Sequence, residues 1–287
     1  MKKKSMMRTA SGGFDRQAWT TVVIWLTLVS VALIFLAPLV YLVAASVKTM
    51  EDFHRYSFFP PIDRMTLSNF ASLFSQMDFG RFLLNSLFVT CTTVTLQLLM
   101  ASLGGYALAC YRFRGQQGLM LLLLVSMMIP APVMLAPLYE LLFHLRLIDT
   151  HAGLIVPGLV NVLGVFLFRQ AMLNIPMDLV HAGRVDGAGE FGIYWHVALP
   201  VVRPTIGAFT LIAFMGSWNS FLWPQVVLQS NELFTLPIAL NQLVGLYNDD
   251  YGALMAGTLM AVLPVVLLFF LLQREFISGL TEGAVKG

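Results

Sequence analysis

Residues 17–47 read QAWTTVVIWLTLVSVALIFLAPLVYLVAASV, and no aspartate, glutamate, lysine or arginine interrupts them. A helix needs about 20 apolar residues to cross the roughly 30 Å of hydrocarbon in a bilayer, so this run suffices for a span. Five further charge-free stretches lie within 82–111, 115–139, 150–168, 204–229 and 251–273. The fourth stretch, 150–168, is short and interrupted by Gly153, Pro157, Gly158 and Gly164. Residues 233–248 are also uncharged but carry Pro237, Asn241 and Gln242, which predicts an exposed or interfacial helix instead of a seventh span. The fold class expected is therefore an all-α membrane protein of six transmembrane helices.

Composition agrees with this reading. Of 287 residues, 58% are hydrophobic and 11% charged, with a mean hydropathy of +0.78. A soluble chain carries roughly 25% charged residues, so a soluble enzyme or DNA-binding module is excluded. The net charge of +2 gives no field that would favour nucleic acid. Cys91 and Cys110 fall in one apolar run, too far apart along a single helix to pair, and imply neither a disulfide nor a metal framework. The lysines at 2, 3 and 4 resemble the start of a signal peptide, but the apolar run that follows is about twice as long as such a peptide's hydrophobic region. A retained first helix is expected.

The basic residues orient the chain. With the N-terminus inside, the inner segments hold Lys2, Lys3, Lys4, Arg8, Arg16, Arg112, Arg114, Arg169, Arg184, Arg203, Arg274 and Lys286, which is 12 of 17. Lys48, Arg55, Arg64, Arg81 and Arg146 fall outside. The positive-inside rule then predicts both termini in the cytoplasm. It gives a cytoplasmic tail at 1–16, a six-span domain at 17–273 and a second tail at 274–287. No ionisable Asp, Glu, Lys or Arg falls within a span. An ion-coupled carrier commonly needs one, and a membrane enzyme would need a cluster of titratable groups at one depth. The polar residues in the spans are the amides Asn85, Gln97, Asn161, Asn219 and Gln225, which suit an uncharged hydroxylated solute or bond from helix to helix. Among them, Asn161 and Asn219, with Trp218, are the expected solute contacts. His144 and His151 are expected to be loop features and not metal ligands.

The longest inner connection, 169–203, reads RQAMLNIPMDLVHAGRVDGAGEFGIYWHVALPVVR. Pro176 and Asp178 suit the first turn of a helix. Leu179, Ala182 and Val185 make an apolar stripe, Gly187 suits a left-handed closing residue, and Asp186 is expected to cap a second helix through Phe191, Tyr194, Trp195 and Ala198. The small residues at the corner would let another backbone approach, so the elbow reads either as a docking surface or as a connector.

These residues resemble a known family. His181-Ala182-Gly183, Asp186-Gly187-Ala188 and Leu199-Pro200 stand at the spacing of the "EAA" loop, E-A-A-x-x-D-G-A then L-P, of binding-protein-dependent ABC importer permeases; His181 and Gly183 replace the Glu and second Ala. Asn85-Ser86, Gly104-Gly105-Tyr106-Ala107, Phe168-Arg169-Gln170, Gly216-Ser217-Trp218-Asn219, Leu222-Trp223-Pro224 and the tail 279–287 are similar to the carbohydrate-uptake branch, in particular to the smaller permease of maltose-type systems. The resemblance implies a type I permease fold in which the loop is a cytoplasmic coupling helix seated on an ATPase subunit. It implies a heterodimer with a second permease, two ATP-binding subunits that hold ATP and magnesium, an extracytoplasmic solute-binding protein, and the inner membrane as the location. The expected function is half of the translocation path for a sugar or oligosaccharide, with a polyol or glycerol phosphate as the alternative solute. The chain contains no G-x-x-x-x-G-K-[ST] phosphate loop, so no catalytic residue and no cofactor of its own is expected. Residues 235–246 are the segment expected to meet the binding protein.

Overall fold

In the computed structural model, which describes residues 11–244 and 250–284, all regular structure among the described residues is helical. In chain order the helices are α1 (Ser11–Ser46), α2 (Met50–Arg55), α3 (Ser68–Gln76), α4 (Phe79–Cys110), α5 (Gln116–Ser126), α6 (Leu135–His144), α7 (His151–Ile155) and α8 (Val162–Met172). There follow α9 (Met177–Val185), α10 (Glu190–Ile193), α11 (Leu199–Val201), α12 (Arg203–Trp218), α13 (Leu222–Val227), α14 (Leu236–Gln242) and α15 (Tyr251–Ala284). Lys2, Lys3, Lys4, Arg8, Leu246, Asn248 and Lys286 lie outside the described residues.

Four stretches are long and apolar enough to cross a bilayer unaided: Ala18–Ser46, Phe79–Cys110, Arg203–Val227 and Tyr251–Phe276. The third and fourth expected spans are not single helices. The chain turns by 96° between Gln116–Ser126 and Ala131–His144, and by 42° between His151–Gly158 and Val162–Met172. Counting each bent pair as one span makes six. Proline explains both breaks. Pro130 has no N–H to donate and pushes Ile129 out of helical geometry. Pro157 sits in a 3₁₀ turn, Val156–Gly158, after which Asn161 restarts the helix by accepting the Gly164 N–H at 2.9 Å.

The chain divides into two units, residues 1–72 with 250–259, and residues 73–249 with 260–287. In the first, α1 exposes an apolar surface over residues 18–41, including Trp25, Leu33 and Phe35, which only lipid or another membrane helix can cover, and its end is buried at Leu42, Ala44 and Ala45. At its end Lys48 is buried; its Nζ donates to the Tyr56 carbonyl at 2.7 Å and lies 5.4 Å from the Tyr41 ring. Asn69 Nδ2 donates to the carbonyls of Ser46 and Lys48, and Gly252 leaves the room this amide needs.

In the second unit α4 is the central helix, with α8, α12 and α14 against it. Glycine sets the close approach of α4 and α8. A Cβ on Gly105 would stand 2.5 Å from Phe168 Cβ, and one on Gly164 would stand 2.5 Å from the Phe209 ring. Small residues at a crossing bring backbones together, and this is what holds helices in lipid, where apolar burial gains little. The buried rings of Phe168 and Phe209 meet edge to face at 5.6 Å beside these glycines.

Within 233–244 the short helix α14 is no span, as expected, and the segment is covered on one face only: Phe234, Leu236, Ile238 and Ala239 are buried, while Asn241 and Gln242 are exposed. Residues 245–248 lie outside the described residues. Asn85 Nδ2 donates to the carbonyls of Glu232 and Phe234 at 2.8 and 3.0 Å, and the Leu236 N–H donates to Ser86 Oγ at 2.7 Å. These bonds fasten the segment to α4, so its apolar face is covered by its own chain.

Candidate functional site

Ser86, Thr90, Thr93 and Gln97 recur at steps of four, three and four along α4, so they line one face of it. That face borders a cavity of about 440 Å³ whose wall also includes Gly158, Asn161, Gly216, Ser217, Trp218, Ser220, Trp223 and Thr235. The volume falls within the range of roughly 300–1,000 Å³ common to small-ligand sites. Among the described residues no Asp, Glu, Lys, Arg or His lines it.

Several of the polar groups are committed to structure. Gln97 Nε2 donates to the Gly158 carbonyl at 2.6 Å, tying α4 to the break in the fourth span. Ser217 Oγ donates to Thr90 Oγ1 at 3.4 Å. Both cavity tryptophans spend their N–H on backbone: Trp218 on Ala261 at 3.0 Å and Trp223 on Gly153 at 3.2 Å. Of the two indoles, Trp223 is half-buried and offers the cavity ring surface, while Trp218 is almost fully covered. Three polar atoms have no partner among the described residues although their side chains are buried: Thr93 Oγ1, Gln97 Oε1 and Thr235 Oγ1. A buried polar atom left without a bond costs on the order of 1–3 kcal/mol, unless water or a ligand satisfies it.

The three expected contacts are placed differently from one another. Asn161 lines the cavity, its Oδ1 taken by the cap of α8. Trp218 lines it too, but is largely buried and stacked on Phe214 at 5.5 Å. Asn219 is exposed, is absent from the cavity wall and donates to the Met215 carbonyl of its own helix at 3.0 Å. Ser86, Thr90 and Thr93 on α4 join Gln97 in the wall, and the spacing 86, 90, 93, 97 is the signal that places them on one face; Thr235 has no such signal.

The loop 169–203 forms the elbow expected, with two differences. α9 ends at Val185 and Gly187 takes the left-handed conformation at φ +79°. Asp186 closes α9 instead of capping the next helix; that helix opens at Glu190, which puts its own carboxylate in the first turn. The stripe Leu179, Ala182 and Val185 is exposed, Val185 to 87%, and Val180 is the residue that anchors α9 inside. His181 and Ala182 are exposed too, as are Asp186, Gly187 and Ala188, whereas Gly183 sits over Ile193. Phe191 and Trp195 stack at 6.3 Å, both exposed.

A polar chain connects this elbow to α4. Arg184 Nε donates to Glu190 Oε1 at 2.8 Å, and the Tyr111 hydroxyl donates to Glu190 Oε2 at 2.5 Å. The guanidinium, and then the phenol, hold the Glu190 carboxyl below its ordinary range, while burial and then the Glu190 bond push the Tyr111 phenol up. One turn further along, a π-helical turn at Tyr194–Ala198 places the Tyr194 hydroxyl 2.8 Å from Ser102 Oγ on α4. His144 lies 4.0 Å from Glu140 and His151 Nε2 lies 3.1 Å from the Leu233 carbonyl; no group of His, Cys, Asp and Glu suited to a metal exists among the described residues.

Several helices long and apolar enough to cross a membrane, an uncharged polar cavity beside α4 and an apolar elbow left uncovered are features of a membrane transport component. The chain belongs to the family of binding-protein-dependent transport system inner membrane components, whose model matches residues 101–280. It is 40% identical over 261 residues to the arabinooligosaccharides transport system permease protein AraQ of Halalkalibacterium halodurans, covering 90% of this chain and 93% of that one. It is 36% identical over 218 residues to the lactose transport system permease protein LacG of Rhizobium radiobacter, covering 76% and 80%. Its fold matches, with a TM-score of 0.81 at 23% identity over 95% of this chain and 100% of the other, a chain in the crystal structure of a bacterial ABC transporter involved in the import of the acidic polysaccharide alginate. Members of this family are transport components, not catalysts.

Proposed function

We propose that this chain is one permease of an ATP-driven, binding-protein-dependent sugar importer and forms half of the translocation path. The observation that carries the reading is the elbow: Leu179, Ala182 and Val185 lie exposed on a loop between two spans, around a corner of small residues. An apolar stripe on a loop in water needs a partner to cover it. A separate ATPase subunit seated there would drive the elbow, and the Arg184–Glu190–Tyr111 chain and the Tyr194–Ser102 bond would carry its movement to α4. Two such subunits would hold the ATP and magnesium, and a second, different permease would cover the apolar faces this chain leaves open. The excess of basic residues in the connections on the elbow's side supports placing the elbow and both termini in the cytoplasm. A solute-binding protein would then dock on the opposite face; Thr235 and Leu236 are buried there, which leaves the exposed residues 231, 232, 241 and 242 as its candidate contacts.

The names of the more similar relatives, 36–40% identical, and the neutral cavity together favour a sugar over the glycerol phosphate of the relatives at 29–30%. Glycerol phosphate would need basic groups or helix N-termini in the path, and no basic side chain lines the cavity. The test is co-purification of the ATPase with this chain. Val185→Asp places a carboxylate on the docking stripe at an 87%-exposed position, away from the chain's own core. It is expected to abolish both assembly and ATP-dependent uptake. Wild-type assembly and uptake in that variant, or solute entering vesicles that hold this chain alone without ATP, would overturn the reading.

A further inference from the structure

The cavity wall is more specific than a neutral lining requires. Its three unpartnered polar atoms come from two separate elements, Thr93 Oγ1 and Gln97 Oε1 from α4 and Thr235 Oγ1 from the turn that leads into α14. Thr93 is 4% exposed, Gln97 9% and Thr235 5%, so none of them is hydrated as a surface residue is. Gln97 cannot turn away, because its Nε2 is held by the Gly158 carbonyl. Its free oxygen can only accept a hydrogen bond, while each threonine hydroxyl can both donate and accept. The complementary solute is a donor-rich neutral molecule. A phosphate or carboxylate would find no cation to offset its desolvation and would meet an acceptor in Gln97. The ring of half-buried Trp223 lines the same cavity, with its indole N–H already taken, and supplies an apolar patch that a sugar ring can cover. Open space at Gly216 and ordinary contact distances at Gly158 leave the wall recessed where side chains would otherwise fill it.

We propose that this chain itself holds one neutral glycosyl unit of the solute in this cavity, through Thr93 Oγ1, Gln97 Oε1 and Thr235 Oγ1. The proposal rests on the sugar-importer reading and adds to it that this subunit selects the solute and does more than frame the path.

The experiment uses the complete importer in proteoliposomes, with labelled arabinotriose, lactose and glycerol 3-phosphate as probes and ATP inside. ATP-dependent uptake of arabinotriose or lactose by the wild type is expected. Thr93→Val and Thr235→Val keep the apolar part of each side chain and remove one hydroxyl. Each is expected to slow uptake of the sugar by about three- to tenfold, the effect of one neutral hydrogen bond. Thr93→Ser restores the hydroxyl and is expected to recover most of the rate, which a purely steric role for the threonine would not allow. Thr95→Val, exposed on another face of the same helix, is expected to leave uptake unchanged. Sugar uptake at the wild-type rate in both valine variants overturns the subsite and leaves the importer reading intact. Uptake of glycerol 3-phosphate in preference to both sugars overturns the two together.

Discussion

Gly104 and Gly105 are neighbours on α4, yet alanine at each is expected to act in opposite directions. At Gly105 the new Cβ would lie 2.5 Å from Phe168 Cβ, 2.8 Å from the Arg169 nitrogen and 2.9 Å from the Phe168 carbonyl carbon. Carbon atoms settle at about 3.5–4.0 Å, so α8 would have to withdraw by roughly 1 Å. None of the three atoms belongs to the tip of a flexible side chain, so no rotamer change relieves the clash. Overpacking of this kind costs about 1–3 kcal/mol. At Gly104 the same atom would meet Val165 Cγ2 at 3.5 Å and Cγ1 at 3.6 Å, which is ordinary contact. Alanine gains up to ~1 kcal/mol over glycine from helix propensity. That gain is common to both positions, and comparing neighbours cancels it. The difference between the two variants should therefore be about 1–3 kcal/mol, read as a lower melting temperature of Gly105→Ala in detergent. If Gly105→Ala melts at or above Gly104→Ala, the close α4–α8 crossing is not where the structure puts it.

Two further predictions concern groups outside the spans. Asp149, at φ +58°, accepts the N–H groups of Gln229 and Ser230 at 2.9 Å each, together with the Ser230 hydroxyl, and the hydroxyl bond first, then the two backbone bonds, hold its carboxyl below the ordinary range. The stability it contributes is full above the usual carboxylate pKa and is lost as pH falls through the depressed value; Asp149→Asn should remove about 1 kcal/mol near neutral pH and flatten this acid limb in a melting series from pH 7 to pH 3. On the elbow, Glu190→Gln removes the charge that both Arg184 and Tyr111 contact. It is expected to lower solute uptake per ATP hydrolysed by several-fold in the reconstituted importer while leaving ATPase co-purification intact; an unchanged ratio would show that the polar chain to α4 transmits nothing.

The spans are legible because burial in lipid leaves a plain record: a run without charge must end where water begins. Their breaks are half legible. Pro157 with Gly158 marks the bend in 150–168, and Pro130 marks a break in 115–139, but the 96° size of that second turn depends on how α6 packs, with Leu142 inside, which no local pattern encodes. The elbow is legible from Gly187 alone, since few other residues adopt its φ. The division of labour around it is not: Asp186, a good N-cap by type, stands as the C-cap of α9, while Glu190 falls in the first turn of α10 and pairs with Arg184. In 233–244 the exposure of Asn241 and Gln242 is legible, but the burial of Phe234 to Ala239 is not, because Asn85 and Ser86, some 150 positions away, fasten that part to α4. In the cavity, amides and tryptophans attract notice and plain threonines do not; Thr93 and Thr235 matter for lacking a partner, and a missing hydrogen bond leaves no trace in a string of letters.

The absence of ionisable side chains around the cavity bears on what can power the stroke. A membrane potential does about 2.3 kcal/mol of work per elementary charge for each 100 mV, but only on charge that moves through the field. A neutral passenger in an uncharged chamber presents none, so depolarising the vesicle should leave its passage through this half unchanged. A chamber uncharged among its described residues is deaf to voltage, which is the behaviour the proposed ATP-driven stroke through the elbow requires.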